Sequence, residues 1–422
     1  MLGFGVLLVL LAIGSPIAFA ILLGVVGHVS TLPFNISLVA QRVFAGLDSF
    51  SILAIPLFVL AGELMNESGI TSRIINFANA LVGHMRAGLA QVNIWASVIF
   101  AGLSGSAVAD TSALGRVFIP TMEKEGYPRS FAAALTSASS VIGPMIPPSI
   151  PVIIYALITT GVSVPALFLA GVAPGLFLAA GLSIYVYIFA GHYAELKPKQ
   201  TMKERMKAFV QAWIPLFMPI FIVGSILTGI VTPTEAAAFA AAYALIAGMF
   251  ILRTLKVIDL PAIFIRAMRD SSVVLIIMAV IAAANWLLTF SRVPQTVSEL
   301  VLDSVSSPWV FLILVNVILL VIGLFLEGIA AMLILLPILH PIAMSLGIDP
   351  VHFGIVVIFN LMIGLVTPPM GICLFVSNSI ANVGIAAISR QIMPMFLVEL
   401  AVLLLITFVP STVTFLPSLF GY

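Results

Sequence analysis

The chain has 422 residues, of which 62% are hydrophobic and only 8% are charged, far more apolar than a soluble domain of this length requires. A net charge of +1 provides no basic patch for nucleic acid. The single cysteine, Cys373, excludes a disulfide within the chain and a cysteine-based metal cluster, and the five histidines show no metal-ligand spacing. The composition therefore indicates an integral membrane protein.

Apolar runs recur along the whole chain, and many reach the roughly 20 helical residues that cross a hydrocarbon layer of about 30 Å. They are apolar on all sides rather than alternating, which favours helices over barrel strands and predicts an all-α polytopic membrane protein. The first run lacks the cationic start of a signal peptide, and Gly14-Ser15-Pro16 leaves open whether it is one helix or two. Crossings are predicted near 2–28, 49–66, 131–160, 166–191, 211–230, 234–252, 271–290, 353–382 and 391–419.

Two further paired runs, 89–119 and 308–343, each contain a polar or charged interruption at the middle. This pattern predicts two re-entrant hairpins, which enter the membrane and return to the same side. The segments 31–47 and 253–269 are too polar to span and are predicted to lie along the interface as amphipathic arms.

Basic residues concentrate between Lys197 and Lys207, which places this loop in the cytoplasm by the positive-inside rule. From this orientation, the stretch 253–269 also faces the cytoplasm and 31–47 lies outside. The first hairpin then opens inward and the second outward.

Residues that break helices recur at an offset of 221 positions, which predicts a duplicated chain. We divide it into a first repeat, 1–200, and a second repeat, 201–422. Because the two hairpins open to opposite sides, the halves form an inverted repeat, as in many secondary transporters. The matching pairs are Gly102 with Gly323, Pro120 with Pro341, Gly126 with Gly347, Gly143 with Gly364, and Pro147-Pro148 with Pro368-Pro369.

Each half places a polar hairpin tip beside a helix that must break. In the first half the tip is Ser104-Gly105-Ser106 and the break is Gly143 to Ser149, where three prolines remove amide donors. The second half pairs Gly323 to Gly328 with Gly364 to Gly371. One such motif alone could have a purely structural explanation, in which glycines allow helices to pack closely and prolines only kink them. Two related breaks favour paired ion sites, because the freed carbonyls suit Na⁺ and the freed amides suit a carboxylate.

Two carboxylates lie within the predicted hairpins. Glu327 occupies the position of Ser106 in the other half and is interpreted as an ion ligand, a proton carrier or a carboxylate hydrogen-bonded in a packed interior. Asp110 either pairs with Arg116 or caps the returning half of its hairpin. Near predicted helix ends, Glu63, Glu235 and Asp270 are interpreted as structural.

At these residues the sequence resembles the large membrane (permease) subunit of tripartite ATP-independent periplasmic (TRAP) transporters. The resemblance covers essentially the whole chain, and its motifs are specific as a set. They are Leu47-Asp48-Ser49-Phe50, Leu64-Met65-Asn66, Ser104-Gly105-Ser106-Ala107, Ile142-Gly143-Pro144, Pro147-Pro148-Ser149, Thr232-Pro233-Thr234-Glu235 and Thr367-Pro368-Pro369-Met370-Gly371.

The resemblance implies a Na⁺-driven elevator-type transporter of an organic acid, such as a sialic acid or a C4-dicarboxylate, in the bacterial inner membrane. It also implies a periplasmic substrate-binding protein and a small four-helix membrane subunit, which we expect on a separate polypeptide. The Na⁺ ligands carried over are Ser104, Ser106, Gly143, Ile146 and Pro148 for one ion, and Gly323, Glu327, Gly328, Gly364, Thr367 and Met370 for the other. The expected substrate region comprises Gly105, Asp110, Thr111, Arg116, Ser149 and Pro369.

Two other functions are weighed against this one. Gly102-Leu103-Ser104-Gly105 fits the G-x-S-G pattern of rhomboid intramembrane proteases, but such catalysis needs a histidine beside the serine, and Ser104 corresponds to Phe325 in the other half. A cation/proton antiporter would share the inverted repeat but would not depend on a binding protein. We expect a transporter and not an enzyme.

Overall fold

The computed structural model describes residues 5–7, 9–10, 13–159, 161–305 and 307–422. The chain in these ranges is helical, with no strand. Residues 5–7 and 9–10 are helical and precede the helices that we number α1 to α19. These are α1 Ile17–Val29, α2 Ser37–Ala45, α3 Ala54–Glu67, α4 Ile70–Val82, α5 Gly88–Ser104, α6 Ala107–Lys124, α7 Arg129–Ser140, α8 Ile150–Ile158, α9 Val164–Phe189, α10 Met202–Leu227, α11 Pro233–Ile246, α12 Leu260–Phe290, α13 Val293–Ser304, α14 Pro308–Gly323, α15 Gly328–Ser345, α16 Pro350–Gly364, α17 Ile372–Ala381, α18 Ile385–Phe408 and α19 Ser411–Leu419.

Seven helical segments of the described chain are long and apolar enough to cross a membrane. Large apolar side chains are exposed on their outer faces, for example Ile184 on α9, Ile220 on α10 and Ile276 on α12. Such a surface is stable against lipid and not against water. The predicted class, an all-α polytopic membrane protein, is confirmed.

Capping residues set several helix starts. Thr201 and Glu204 form a reciprocal capping box at the start of α10, and Thr232 and Glu235 form the same arrangement at α11. Glu235 is thus structural, as its sequence position indicates.

Two sequence-based boundaries need correction, one open question is answered, and two helices were not predicted. The expected arm 253–269 and crossing 271–290 are one continuous helix from Leu260, because no glycine or proline follows Pro261 before Phe290. The first run is interrupted before α1 by a turn in which Gly14 has φ +81°. The last crossing ends at Phe408, ahead of Pro410. Helices α4 and α13 were not predicted, because they are short connectors without a continuous apolar run.

Two groups of helices make close contacts within themselves, and the groups also meet where α12 packs against α15. In the first, α12 packs against α1, α2 and α3, and α3 packs against α11. In the second, α6 packs against α7 and α17, α14 and α15 pack against α16, and α18 packs against α7. Every residue from Phe131 to Ser140 and from His352 to Gly364 is buried, so α7 and α16 form the centre of the second group.

Helices of this second group recur at the offset of 221 positions that also relates the glycines and prolines of the two halves. Shifting α6 by 221 positions gives 328–345, the bounds of α15. The buried stretch of α7 that begins at Phe131 likewise corresponds to that of α16, which begins at His352. The two cis peptide bonds, Pro147-Pro148 and Pro368-Pro369, share the same spacing.

Candidate functional site

The first hairpin tip is a tight turn between α5 and α6. Gly105 lies in the left-handed region with φ +58°, and a Cβ atom there would overlap the carbonyl oxygen of Pro148. Ser106 caps α6 by accepting a hydrogen bond from the Ala109 amide at 3.4 Å, and Ser104 Oγ lies 3.4 Å from the Ser106 amide nitrogen. The tip therefore rests directly on the broken segment between α7 and α8.

That segment leaves helical geometry at Val141 and resumes at Ile150. Ser149 begins the new helix by accepting from the Val152 amide at 3.3 Å, and its hydroxyl donates to the Pro144 carbonyl. A Cβ on Gly143 would stand 3.6 Å from the Ser106 carbonyl oxygen, so the tip and the break are in van der Waals contact. The structure thus brings together Ser104, Ser106, Gly143 and Pro148, whereas the Ile146 side chain packs over Gly175 of α9.

The second hairpin meets its broken helix through glycine backbones. A Cβ on Gly364 would lie 2.8 Å from the Gly323 carbonyl oxygen, so only glycine allows this approach of α14 and α16. Glu327 caps α15 by accepting from the Ala330 amide at 3.0 Å. Gly328 packs beneath the side chain of Met362.

Two proposed ligands of this second set lie on the segment between α16 and α17. The Thr367 hydroxyl donates to the Ile363 carbonyl at 2.8 Å, and the Thr367 carbonyl accepts from the Gly371 amide at 3.0 Å. Met370 is 50% exposed at the surface of the chain. Met370 therefore does not reach into the packed core. Of the second ligand set, Gly323 and Gly364 are in direct contact.

A cavity of about 180 Å³ lies between the two helix groups. Residues 104–109 of the first tip and Glu327 of the second line one side, and α3 and α12 line the other. The α3 and α12 residues include Glu63, Asn66 and Asp270. From the sequence, Asn66 was named only as part of a family motif, and the two carboxylates were interpreted as structural. The contact of α3 with the first tip, where Gly62 packs against Ser104, is a tertiary feature that apolar periodicity does not reveal.

One charged cluster borders this cavity. The Arg266 guanidinium on α12 makes ion pairs with Glu63 at 3.0 Å and with Glu67 at 2.8 Å. These pairs join α12 to α3, so part of the structural interpretation of Glu63 is right. They also place a cation one helical turn from Asp270, which lines the same cavity.

The expected substrate region is dispersed. Gly105 lines the cavity, but the other members do not. Asp110, Thr111 and Ser149 are fully buried, whereas Arg116 and Pro369 are on the surface. The expected pairing of Asp110 with Arg116 is wrong, because the two side chains leave α6 in different directions, one inward and one outward.

The serine protease hypothesis requires a histidine as general base beside Ser104. Ser104 lines the cavity, but none of the histidines in the described part of the chain does. His340 instead lies 3.1 Å from the Tyr155 hydroxyl, and His352 lies 2.8 Å from the Ile406 carbonyl oxygen.

Comparison with known proteins decides the family. The family model for the DctM component of the tripartite ATP-independent periplasmic transporter matches residues 4–412. The chain belongs to this family. It is therefore a TRAP transporter large permease subunit, a multi-pass inner membrane protein that acts in transport and not as an enzyme.

Two curated relatives illustrate the breadth of the TRAP family. The sialic acid TRAP transporter large permease protein SiaM of Vibrio cholerae is 39% identical over 98% of this chain and 97% of its own. The C4-dicarboxylate TRAP transporter large permease protein DctM of Rhodobacter capsulatus is 37% identical over 99% and 98%. Among solved structures, the YdaH transporter of Alcanivorax borkumensis superposes with a TM-score of 0.63 at 15% identity, covering 87% of this chain and 86% of that one. This chain thus shares its fold with a transporter of low sequence identity.

Proposed function

We propose that this permease takes up an organic acid across the inner membrane by Na⁺-coupled secondary active transport. The observation that carries the proposal is the cavity that both hairpin tips share with α3 and α12. A solute held there would contact both helix groups, so its binding would depend on their relative position.

Two Na⁺ sites are proposed, one at each pairing of a hairpin with a broken helix. The first uses oxygens of Ser104 and Ser106 with backbone groups at Gly143, Ile146 and Pro148. The second uses Glu327 and Thr367 with backbone groups around Gly323, Gly328, Gly364 and Met370. Broken helices support this assignment, because their ends carry carbonyl groups without helical partners, and hard cations prefer such oxygen ligands.

The substrate carboxylate is proposed to bind at the start of α6. Ala107 and Val108 line the cavity in the first turn of that helix, where amide groups lack intrahelical acceptors and the helix dipole favours an anion. Na⁺ at the neighbouring sites would offset the acidic groups of the cavity wall, Glu63, Asp270 and Glu327.

Transport is proposed to follow an elevator mechanism, in which the group centred on α7 and α16 moves against the group formed by α1, α2, α3, α11 and α12. The recurrence of helix bounds at 221 positions supports two inverted repeats, 1–200 and 201–422. Inverted copies of one structure provide inward-open and outward-open states of similar energy, which alternating access requires.

Partners follow from the family, whose name denotes a tripartite, periplasmic system. We propose that a separate small four-helix membrane subunit and a periplasmic binding protein complete the transporter. The named relatives carry sialic acid or C4-dicarboxylates, and we propose an organic anion of one of these classes as the substrate.

Uptake into proteoliposomes tests the function. We expect accumulation of labelled substrate to require the binding protein and an inward Na⁺ gradient. Undiminished uptake in the absence of both would contradict the proposal. Uptake without the binding protein that is driven by a proton gradient would support the cation/proton antiporter instead.

A further inference from the structure

The cavity to which we assign an organic anion is itself lined by acidic side chains. Glu63 and Asp270 line it from α3 and α12, and Glu327 lines it from the second hairpin. Among the described residues, no lysine, arginine or histidine lines this cavity. Because like charges repel strongly where water is partly excluded, a carboxylate can bind there only if the charges of the wall are compensated.

The proposed Na⁺ ions act on this wall from one side. Their ligands belong to the hairpins and the broken helices, as does Glu327. Glu63, by contrast, is on α3 in the other helix group, so its distance from the ions changes when the two groups move. A positive charge within its own group would compensate Glu63 in every position of the hairpins.

Arg266 on α12 supplies such a charge. Its Nε atom donates to Glu63 Oε2 at 3.0 Å, and its Nη2 atom donates to Glu67 Oε1 at 2.8 Å. The Glu63 side chain is 21% exposed and lines the cavity, whereas the Glu67 side chain is 50% exposed and does not. Arg266 does not line the cavity either, so it acts on a bound solute through the charge of Glu63.

We propose that Arg266 is a positioning residue for anion binding, which holds and neutralises Glu63 so that the cavity accepts a substrate carboxylate. The inference rests on the proposed function and adds the residue that compensates the wall opposite the hairpins. A purely structural role, in which the ion pairs only join α12 to α3, predicts a different pattern. In that case removing both partners should be no better than removing Arg266 alone.

Equilibrium binding of radiolabelled sialic acid and of radiolabelled succinate tests this inference. The full-length permease, purified with its small membrane subunit, is placed in nanodiscs at saturating Na⁺. Arg266→Gln leaves Glu63 uncompensated, and we expect it to raise the half-saturating concentration of the bound probe several-fold. Adding Glu63→Gln to that variant should restore nearly parental binding, because the repelling charge is gone. Arg266→Lys keeps the positive charge and should bind nearly as well as the parent.

Glu67→Gln is the matched control. It removes the other ion pair of the same guanidinium at a carboxylate that does not line the cavity, so we expect parental affinity for the probe. Unfolding temperatures of the same variants measure the structural contribution of the ion pairs separately. Glu63→Gln alone should bind at least as tightly as the parent, which provides a second measurement if Arg266→Gln does not fold.

Three results would overturn the inference. They are parental binding in Arg266→Gln, binding in the combined variant that stays as weak as in Arg266→Gln, and weakened binding in Glu63→Gln alone. Failure of the proposed function has a different signature, since the parent itself would then show no Na⁺-dependent binding of either probe.

Discussion

Ser106 combines two roles at one position. Its hydroxyl oxygen caps α6 and the residue lines the cavity, so a substitution acts on folding and on the site together. Ser163 provides a comparison, because it caps α9 by the same bond, from the Ala166 amide at 3.3 Å, and does not line the cavity.

Ser106→Ala and Ser163→Ala should each lower stability by roughly 0.5–2 kcal/mol, the usual contribution of a serine N-cap. Only Ser106→Ala should raise the Na⁺ concentration needed for half-maximal uptake, because only Ser106 is a proposed ion ligand. Thermal unfolding and uptake measured against Na⁺ concentration separate the two effects. Equal Na⁺ dependence in both variants would remove Ser106 from the ion site.

Thr367 allows the same comparison in the second half. Thr367→Ala should weaken Na⁺ dependence, since its hydroxyl oxygen is a proposed ligand. Thr159 makes the same bond to the carbonyl four residues earlier, at 2.7 Å, and Thr159→Ala should leave the Na⁺ dependence unchanged. A parental Na⁺ response in Thr367→Ala is the result that would exclude its hydroxyl from coordination.

At the level of helices, the sequence indicates where they break better than how far they extend. Gly143 to Ser149 and Gly364 to Gly371 interrupt helices because prolines and glycines act locally. Helix α12 is longer than expected because polar Asp270-Ser271-Ser272 resembles an end, although Ser271 and Ser272 satisfy their hydroxyls on carbonyls four residues earlier. The connector helices α4 and α13 lack a continuous apolar run, although Gly69 and Gly83 bound α4 and Pro294 stands at the start of α13.

The contact between α14 and α16 yields a prediction about packing. Gly364→Ala places a methyl group against the Gly323 carbonyl, so we expect a lower unfolding temperature and loss of uptake. Gly224→Ala in α10 meets no atom within 4 Å and should be neutral or stabilising by up to about 1 kcal/mol. An unaltered unfolding temperature in Gly364→Ala would show that these helices separate easily.

At the scale of the whole molecule, composition was enough to predict the membrane class, and the motifs were enough to indicate the family. The wall of the cavity was not predictable in the same way. Glu63 and Asp270 are 207 positions apart and meet only because α3 packs along α12. Asp110 was placed near the substrate because it follows the tip in sequence, but helical rotation turns it inward.

Movement between the two helix groups can be tested by a reversible cross-link. A Cβ on Gly62 of α3 would lie 3.6 Å from Ser104 Cα at the tip, so cysteines at these two positions are close neighbours across the groups. The double variant Gly62→Cys with Ser104→Cys should lose uptake under oxidising conditions, because a disulfide would join the two helix groups. Reduction should restore uptake to the rate of the slower of the two single variants. Full uptake by the oxidised protein would contradict the elevator mechanism.

The complete enclosure of α7 and α16 has a consequence for the timing of isotope exchange. Buried helical amides exchange with deuterated water only when the surrounding structure opens, so the slowest sites report the opening of the largest cooperative unit. The amides of 131–140 and 352–364 are therefore expected to be the last to exchange, and to do so together. Their common rate would measure how firmly this central body stays closed.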